Sequence, residues 1–314
     1  MGEGGYRQIN KSLNICAFED YLTTQQARLP KIPDVEQVSP RVLRILGQNP
    51  GKFTLQGTNT WIVGTGSKRL IIDTGQGIPE WADLISSTLK DQSFSLSHVL
   101  LTHWHGDHTL GVPQLLRLYP DLSQSIYKND PGNGQEPIFP GQVFKVEGAT
   151  VRAVHAPGHS EDHMCFVLEE ENAMFTGDNI LGNGSSAVED LSTYMETLKR
   201  MQSQQCAIGY PAHGVVIKDL VAKISGELAL KLKRETQVVQ ALQDPKPRSQ
   251  PLGRGPVSMT VKELVTAIHG EHLDEEVKAM ALEPFIEEVL RKLTDDSRVA
   301  FQFLDGQKRW FSIE

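Results

Sequence analysis

Four side chains able to bind a metal fall within six residues of this chain: His103, His105, Asp107 and His108, in the run SHVLLTHWHGDHTLGV (97–112). Neutral imidazole and carboxylate oxygen suit zinc, and other first-row metals less selectively. One ion cannot readily take all four donors from so short a segment. The spacing therefore predicts two neighbouring ions, with alternate residues turned to each. A His-rich surface loop would share the composition but would not begin directly after a strand of buried character such as the one expected to end at Thr102.

Three further segments place a donor after an apolar stretch. His159 follows the Pro157-Gly158 turn in AVHAPGHSEDH, Asp178 follows Met174–Gly177 in MFTGDN, and His213 ends CAIGYPAH. Each histidine alone reads as a hydrogen-bonded structural residue; beside residues 103–108 the group reads as a metal-binding set. Asp73, closing LIID before Thr74-Gly75, is a carboxylate suited to orient a ligand from behind rather than to bind metal. His163 fits either the rim of the site or a structural place in the next strand. His98 and His155 belong with strands, and His269 and His272 lie far from every motif. Cys165 and Cys206 read as inert core thiols. Trp61 and Trp104 flank motif segments, where packing and substrate contact are both open to them.

The elements that must position these donors are legible as alternating strands and helices, which predicts a layered α/β domain. Strands are expected at 42–46, 59–63, 69–73 and 97–102, then at 143–146, 150–156, 163–169 and 172–177. Helices are expected at 79–91, with Pro79 in the first turn, and at 188–204 and 219–243. Residues 1–40 read as a polar extension containing a short helix within 16–29. Residues 244–258 hold four prolines and two glycines and read as a linker. Beyond it, a helix starting at Thr260 and stopping at Gly270, a second helix at PFIEEVLRKL and a hairpin turning at Asp305-Gly306 suggest a small winged-helix-like α+β domain over 259–314.

Composition narrows the function classes. Of 314 residues, 39% are hydrophobic and 22% charged, enough apolar material for a large core. Lysine plus arginine number 31 against 39 acidic residues, a net charge of −8, opposite to the usual bias of a protein that grips phosphate backbones. Three distant cysteines exclude a disulfide scaffold and a cysteine-built zinc finger, and fit a reducing compartment. The first residues lack a basic region followed by an apolar run, and no stretch approaches the ~20 apolar residues of a membrane span. A cytoplasmic protein that engages neither membrane nor nucleic acid is the expectation.

In order, Asp73, the run His103–His108, His159, Asp178 and His213 reproduce the five motifs of the metallo-β-lactamase superfamily, and the chain resembles that superfamily over about residues 40–235. The resemblance implies an αββα sandwich, with two packed mixed sheets, helices outside, and a binuclear site at one sheet edge. It implies that His103, His105 and His159 hold one zinc ion. Asp107, His108 and His213 would hold a second, with Asp178 bridging them. Asp107 would also act as the catalytic proton donor and acceptor. The catalytic domain would run over 41–243.

A closer resemblance rests on GQNPGKFTLQGTNTWIVGTG (47–66), PGHSEDHM, EEENAMFTGDNILG, YPAHG and the opening MGEGGYRQINKSLNICAFEDYL. These are similar to the lactamase-β-like group with a C-terminal winged helix. Within that group they are similar to fungal thioesterases that serve non-reducing polyketide synthases, the atrochrysone carboxyl carrier-protein thioesterases among them. The likeness implies a two-zinc thioesterase of fungal secondary metabolism. Such an enzyme frees an aromatic polyketide from an acyl carrier protein, by hydrolysis or by Claisen-type cyclisation. The alternative is a zinc endoribonuclease of the same group. Against it, residues 257–314 hold seven Lys/Arg and twelve Asp/Glu, the wrong sign for gripping RNA. A glutathione-thioester hydrolase would share the metal site. A metal-free interaction protein would show broken motifs, and none is broken.

Overall fold

Short runs rich in Val, Ile and Leu, punctuated by Gly-bearing turns, become strands because branched side chains pack well on a pleated surface. In the computed structural model, which describes residues 26–243, 256–272, 275 and 278–314, twelve strands form two sheets in the first part of the chain. The first sheet takes its strands in sequence order: β1 (Val35–Ser39), β2 (Val42–Leu46), β3 (Asn59–Val63), β4 (Lys68–Ile72), β5 (Ser95–Leu100), β6 (Ile126–Lys128) and β7 (Glu136–Pro137). It is antiparallel as far as β4 and parallel beyond. The second sheet comprises β8 (Val143–Val146), β9 (Ala149–His155), β10 (Met164–Leu168), β11 (Ala173–Gly177) and β12 (Ile208–Pro211), antiparallel except for the β11–β12 pair.

The sheets pack face to face. Trp61, Leu70, Ile72 and Leu100 of the first meet Val151, Phe166, Phe175 and Tyr210 of the second in one buried cluster. The other face of the first sheet buries Ile45, Ile62, Ile71 and Val99 against Trp81, Ile85 and Leu89 of the helix Pro79–Asp91. The helix Leu191–Ser203 is capped by Asp190, whose carboxylate accepts from Thr193 N, and it buries Tyr194, Leu198 and Met201. The expected αββα sandwich is thus the fold.

The described residues fall into two compact units, with the break between Ser225 and Gly226, inside the helix Leu220–Gln243. In the second unit, Thr260 and Glu263 form a reciprocal capping box that starts the helix Val261–His269, and Gly270 at φ 91° stops it. The helix Glu283–Asp295 and a hairpin of β13 (Val299–Leu304) and β14 (Gln307–Ser312) complete a winged-helix-like set. Its turn residues Asp305 and Gly306 both have positive φ, as a two-residue hairpin turn requires. Among the described residues no helix is long and apolar enough to cross a membrane.

Two readings differ from the structure. Residues 35–39, expected within a polar extension, form the edge strand β1, and its Glu36 pairs with the buried Arg44 of β2. Charged residues on an edge strand deter unwanted pairing and hide the strand from a hydrophobic pattern. Strands β6 and β7 are too short to show a pattern at all. The helix expected within 16–29 and the linker at 244–258 lie mostly outside the described residues, as does Cys16.

Topology explains why the donors meet. Strands β4 and β5 are parallel, so the segments after their C-terminal ends, carrying Asp73 and residues 103–108, emerge at one edge. Strands β9 and β11 both run antiparallel to β10, and β12 runs parallel to β11, so His159, Asp178 and His213 follow strand ends at one edge of the second sheet. The two edges are laced together. Met164 N donates to Thr102 O (2.7 Å), and Asn59 N donates to Ala212 O (2.7 Å). The buried Asn59 amide donates to Pro211 O (2.8 Å) and Gly214 O (2.9 Å), on either side of His213. Asn59→Ala leaves these carbonyls without that donor, and about 1–3 kcal/mol of stability should be lost for a buried polar group so stranded. Urea unfolding measures this; a loss under about 0.5 kcal/mol would contradict the lacing role.

Candidate metal centre

All seven donor residues of the sequence motifs and Asp73 are buried. The donors assemble as two groups that share Asp178: His103, His105, His159 and Asp178, then Asp107, His108, Asp178 and His213, with the atoms of each group within 4.8 Å of one another.

The outward-facing nitrogens explain the inward-facing ones. A neutral imidazole carries one N–H and one lone pair, so an acceptor on one nitrogen fixes a lone pair on the other. His159 Nδ1 donates to Ala187 O at 2.7 Å, leaving Nε2 as the lone pair. His108 Nδ1 donates to Asp73 Oδ2 at 2.9 Å. The Thr102 hydroxyl donates to Asp73 Oδ2 (2.9 Å) and can therefore accept from His103 Nδ1 (3.0 Å). His213 Nδ1 makes a longer contact, 3.5 Å, with Gly57 O. The freed Nε2 atoms of His103 and His159 then face His105 Nδ1 at 2.8 and 3.0 Å. At most one of these contacts can be a hydrogen bond, because His105 Nδ1 has at most one proton to give. The geometry is that of three lone pairs aimed at one point.

The second group shows the same pattern with carboxylates. His213 Nε2 lies 3.1 Å from Asp107 Oδ2 and 3.2 Å from Asp178 Oδ1; His108 Nε2 lies 3.3 Å from Asp107 Oδ2 and 3.5 Å from Asp178 Oδ2. Yet both Asp107 oxygens, Asp178 Oδ1 and both Nε2 atoms make no hydrogen bond of acceptable geometry among the described residues. Atoms that converge without bonding one another, in a buried site, are what a coordinated ion requires.

Charge tells the same story. Burial, joined by the neighbouring imidazoles, holds His103 well below the ordinary histidine range, and burial with His159 beside it brings His105 down to about 3. Both are therefore neutral at neutral pH, as a histidine able to bind a metal must be. Burial also disfavours charge on His108 and His213, but the carboxylates outweigh it. His108 is raised well above its usual value, and His213 to about 10. Two carboxylates facing two imidazoles demand positive charge, from protons or from a metal. The donor set of nitrogen and oxygen atoms fits zinc.

Several residues that support the site carry no signal in the sequence. The fully buried His163, left open between rim and core, accepts from Asp178 N through Nε2 at 3.1 Å and so sets the backbone that carries Asp178. Gly177 makes room for it: at φ 51°, a Cβ there would lie 2.5 Å from His163 Nε2. The Asn179 amide donates to Ala156 O at 2.7 Å, tying the chain after β11 to the chain after β9. Thr102 directly precedes the 103–108 motif, but its service to Asp73 and His103 depends on three-dimensional placement. His98 rests between Tyr127 and Phe144, and His155 Nε2 contacts Glu161 O at 3.2 Å. Burial raises the Cys165 thiol to about 12 and the Cys206 thiol to about 11, as inert core thiols should be.

The metallo-beta-lactamase superfamily model matches residues 53–130 and 120–213, which span every proposed donor. A beta-lactamase domain protein from Burkholderia ambifaria superposes with a TM-score of 0.69 at 18% identity, over 90% of this chain and 95% of its own, and shares the fold. The chain belongs to the metallo-beta-lactamase superfamily. The atrochrysone carboxyl ACP thioesterase of Cryptosporiopsis sp. is 68% identical over 99% of this chain and 98% of its own length. That of Aspergillus terreus is 68% identical over 100% and 98%. Within the superfamily, the chain belongs to the same thioesterase family as these relatives.

Asp73→Asn should weaken metal binding about 10–100-fold, because the carboxylate that receives the His108 proton is lost. Competition with a chromophoric chelator measures this. Unchanged affinity would show that Asp73 does not orient a ligand.

Proposed function

We propose that the chain is a binuclear zinc thioesterase that releases an aromatic polyketide from the acyl carrier protein of a non-reducing polyketide synthase, in the cytoplasm and as part of fungal secondary metabolism. What carries the reading is an unbroken, convergent donor set in a chain 68% identical along its length to a relative named an atrochrysone carboxyl ACP thioesterase. His103, His105 and His159 would hold one zinc ion, Asp107, His108 and His213 the other, and Asp178 would bridge them. The chemistry that bound zinc supplies is Lewis acidity: water becomes nucleophilic near neutral pH, and developing oxyanion charge is offset. We assign this chemistry to a catalytic domain over 41–243, with 259–314 as a separate winged-helix-like domain.

The protein's own part follows from its side chains. Burial favours the neutral form of Asp107, but His108 and His213 outweigh it and hold the carboxyl well below the usual range. Asp107 is thus a proton acceptor at neutral pH. Its Oδ2 lies 3.3 Å from His108 Nε2 and 3.1 Å from His213 Nε2, and neither oxygen makes a hydrogen bond among the described residues, so we assign this carboxylate to take the proton of an attacking nucleophile. The leaving group is a phosphopantetheine thiolate. With a thiol pKa of about 8.5 it departs without strong acid assistance, so one proton-moving carboxylate suffices. Either of two nucleophiles fits this chemistry. Water gives the free acid; a carbon of the chain gives a Claisen-cyclised product lighter by one water.

A polyketide synthase lacking its own release domain provides the test. Adding the protein should raise product release at least about tenfold, and His103→Ala or Asp178→Ala should abolish the gain while the second unit stays folded. Mass spectrometry of the product reads both the release and its mode. No stimulation by the wild-type protein, or full activity of either variant, would refute the proposal.

A further inference from the structure

The three imidazoles that converge on one point come from two different sheets. His103 and His105 follow β5 of the first, and His159 sits on the loop between β9 and β10 of the second. That loop is closed at its base by Ala156 N donating to His163 O (2.8 Å), and within it Gly158 N donates to Ser160 O (3.1 Å). It is also tied to the chain before the helix Leu191–Ser203. Gly158 O accepts from Glu189 N (2.8 Å) and Asp190 N (3.2 Å), and His159 Nδ1 donates to Ala187 O. None of these contacts reaches the first sheet, so none of them sets how far His159 stands from His103 and His105.

Lys128 supplies that reach. It is the last residue of β6, and its ammonium donates to Asp162 Oδ2, three residues beyond His159 and directly before His163. The Ser160 hydroxyl donates to Asp162 Oδ1 (2.9 Å), so both carboxylate oxygens are engaged. On the other side, β6 lies beside β5, and Leu101 N donates to Tyr127 O (2.9 Å). Lys128 is thereby fixed to the strand that leads into His103. Its carbonyl accepts from Ile138 N (3.0 Å). Lys128 and Asp162 are each only 6% exposed, so solvent ions do not screen the pair. A buried ion pair adds little net stability over apolar side chains of the same size, because both charges must leave water. What it adds is direction, since a charge-assisted hydrogen bond fixes where its partners meet.

We propose that Lys128 and Asp162 are positioning residues of the metal centre, which hold the loop carrying His159 at the distance from β5 at which His103, His105 and His159 converge. The inference rests on the two-zinc reading above, and its test separates the two. Zinc affinity is measured by chelator competition in two parent chains. His213→Ala keeps the group of His103, His105 and His159; His159→Ala keeps the group of Asp107, His108 and His213. In the first parent, Lys128→Met and Asp162→Asn should each weaken zinc binding about tenfold or more, and in the second, where the loop carries no donor, by less than about twofold. The double variant Lys128→Met/Asp162→Leu leaves no charge unpaired, so it covers the case in which a single change unfolds the chain. It should stay folded by circular dichroism and still bind zinc about tenfold more weakly than the first parent. Parent affinity in the folded double variant, or equal effects of the single changes in the two parents, would overturn the positioning role while leaving the two-zinc reading standing. Failure of either parent to bind zinc would overturn the two-zinc reading, and the inference with it.

Discussion

Imidazole lone pairs and two carboxylates are buried face to face, and the rest of the molecule is arranged around that confrontation. Without positive charge at their centre, such groups repel one another and lack the hydrogen bonds that burial normally demands. A metal ion turns this liability into binding energy. The donors must be held together by structure that does not itself need the ion. Here that structure is the common edge of two sheets, whose faces are joined by an apolar core and whose rims are laced by Asn59, Thr102 and Met164.

Behind the donors stands a layer of groups that choose tautomers. Asp73 is its centre: one carboxylate accepts from Thr102 N, the Thr102 hydroxyl and His108 Nδ1. Asp73 adopts a left-handed backbone, φ 61°, which aspartate tolerates better than most residues. That turn is what brings a residue following β4 behind ligands that follow β5. On the second sheet, His163 and Ala187 do equivalent work for Asp178 and His159. These contacts give the site its orientation before any ion or substrate arrives.

Legibility in the sequence followed locality. His103, His105, Asp107 and His108 were readable because four donors lie within six residues after a strand. Their meeting with His159, Asp178 and His213 was readable only as a shared habit of following strand ends, made specific by resemblance to a family. Thr260 and Gly270 were readable because helix caps act over three or four residues. The supporting roles of Thr102, His163 and Asn179 depend on which way a backbone N–H or an amide faces after folding, and spacing does not encode that. Strand β1 escaped because its polar edge breaks the alternation that marks a strand.

The most direct test is native mass spectrometry of the protein purified without chelators and supplied with zinc. Two zinc ions per chain are predicted, falling to one in His213→Ala because the group of His103, His105 and His159 survives. A wild-type chain that holds no zinc, or that saturates at one ion with all seven donors intact, would contradict the two-ion centre on which the proposed chemistry depends.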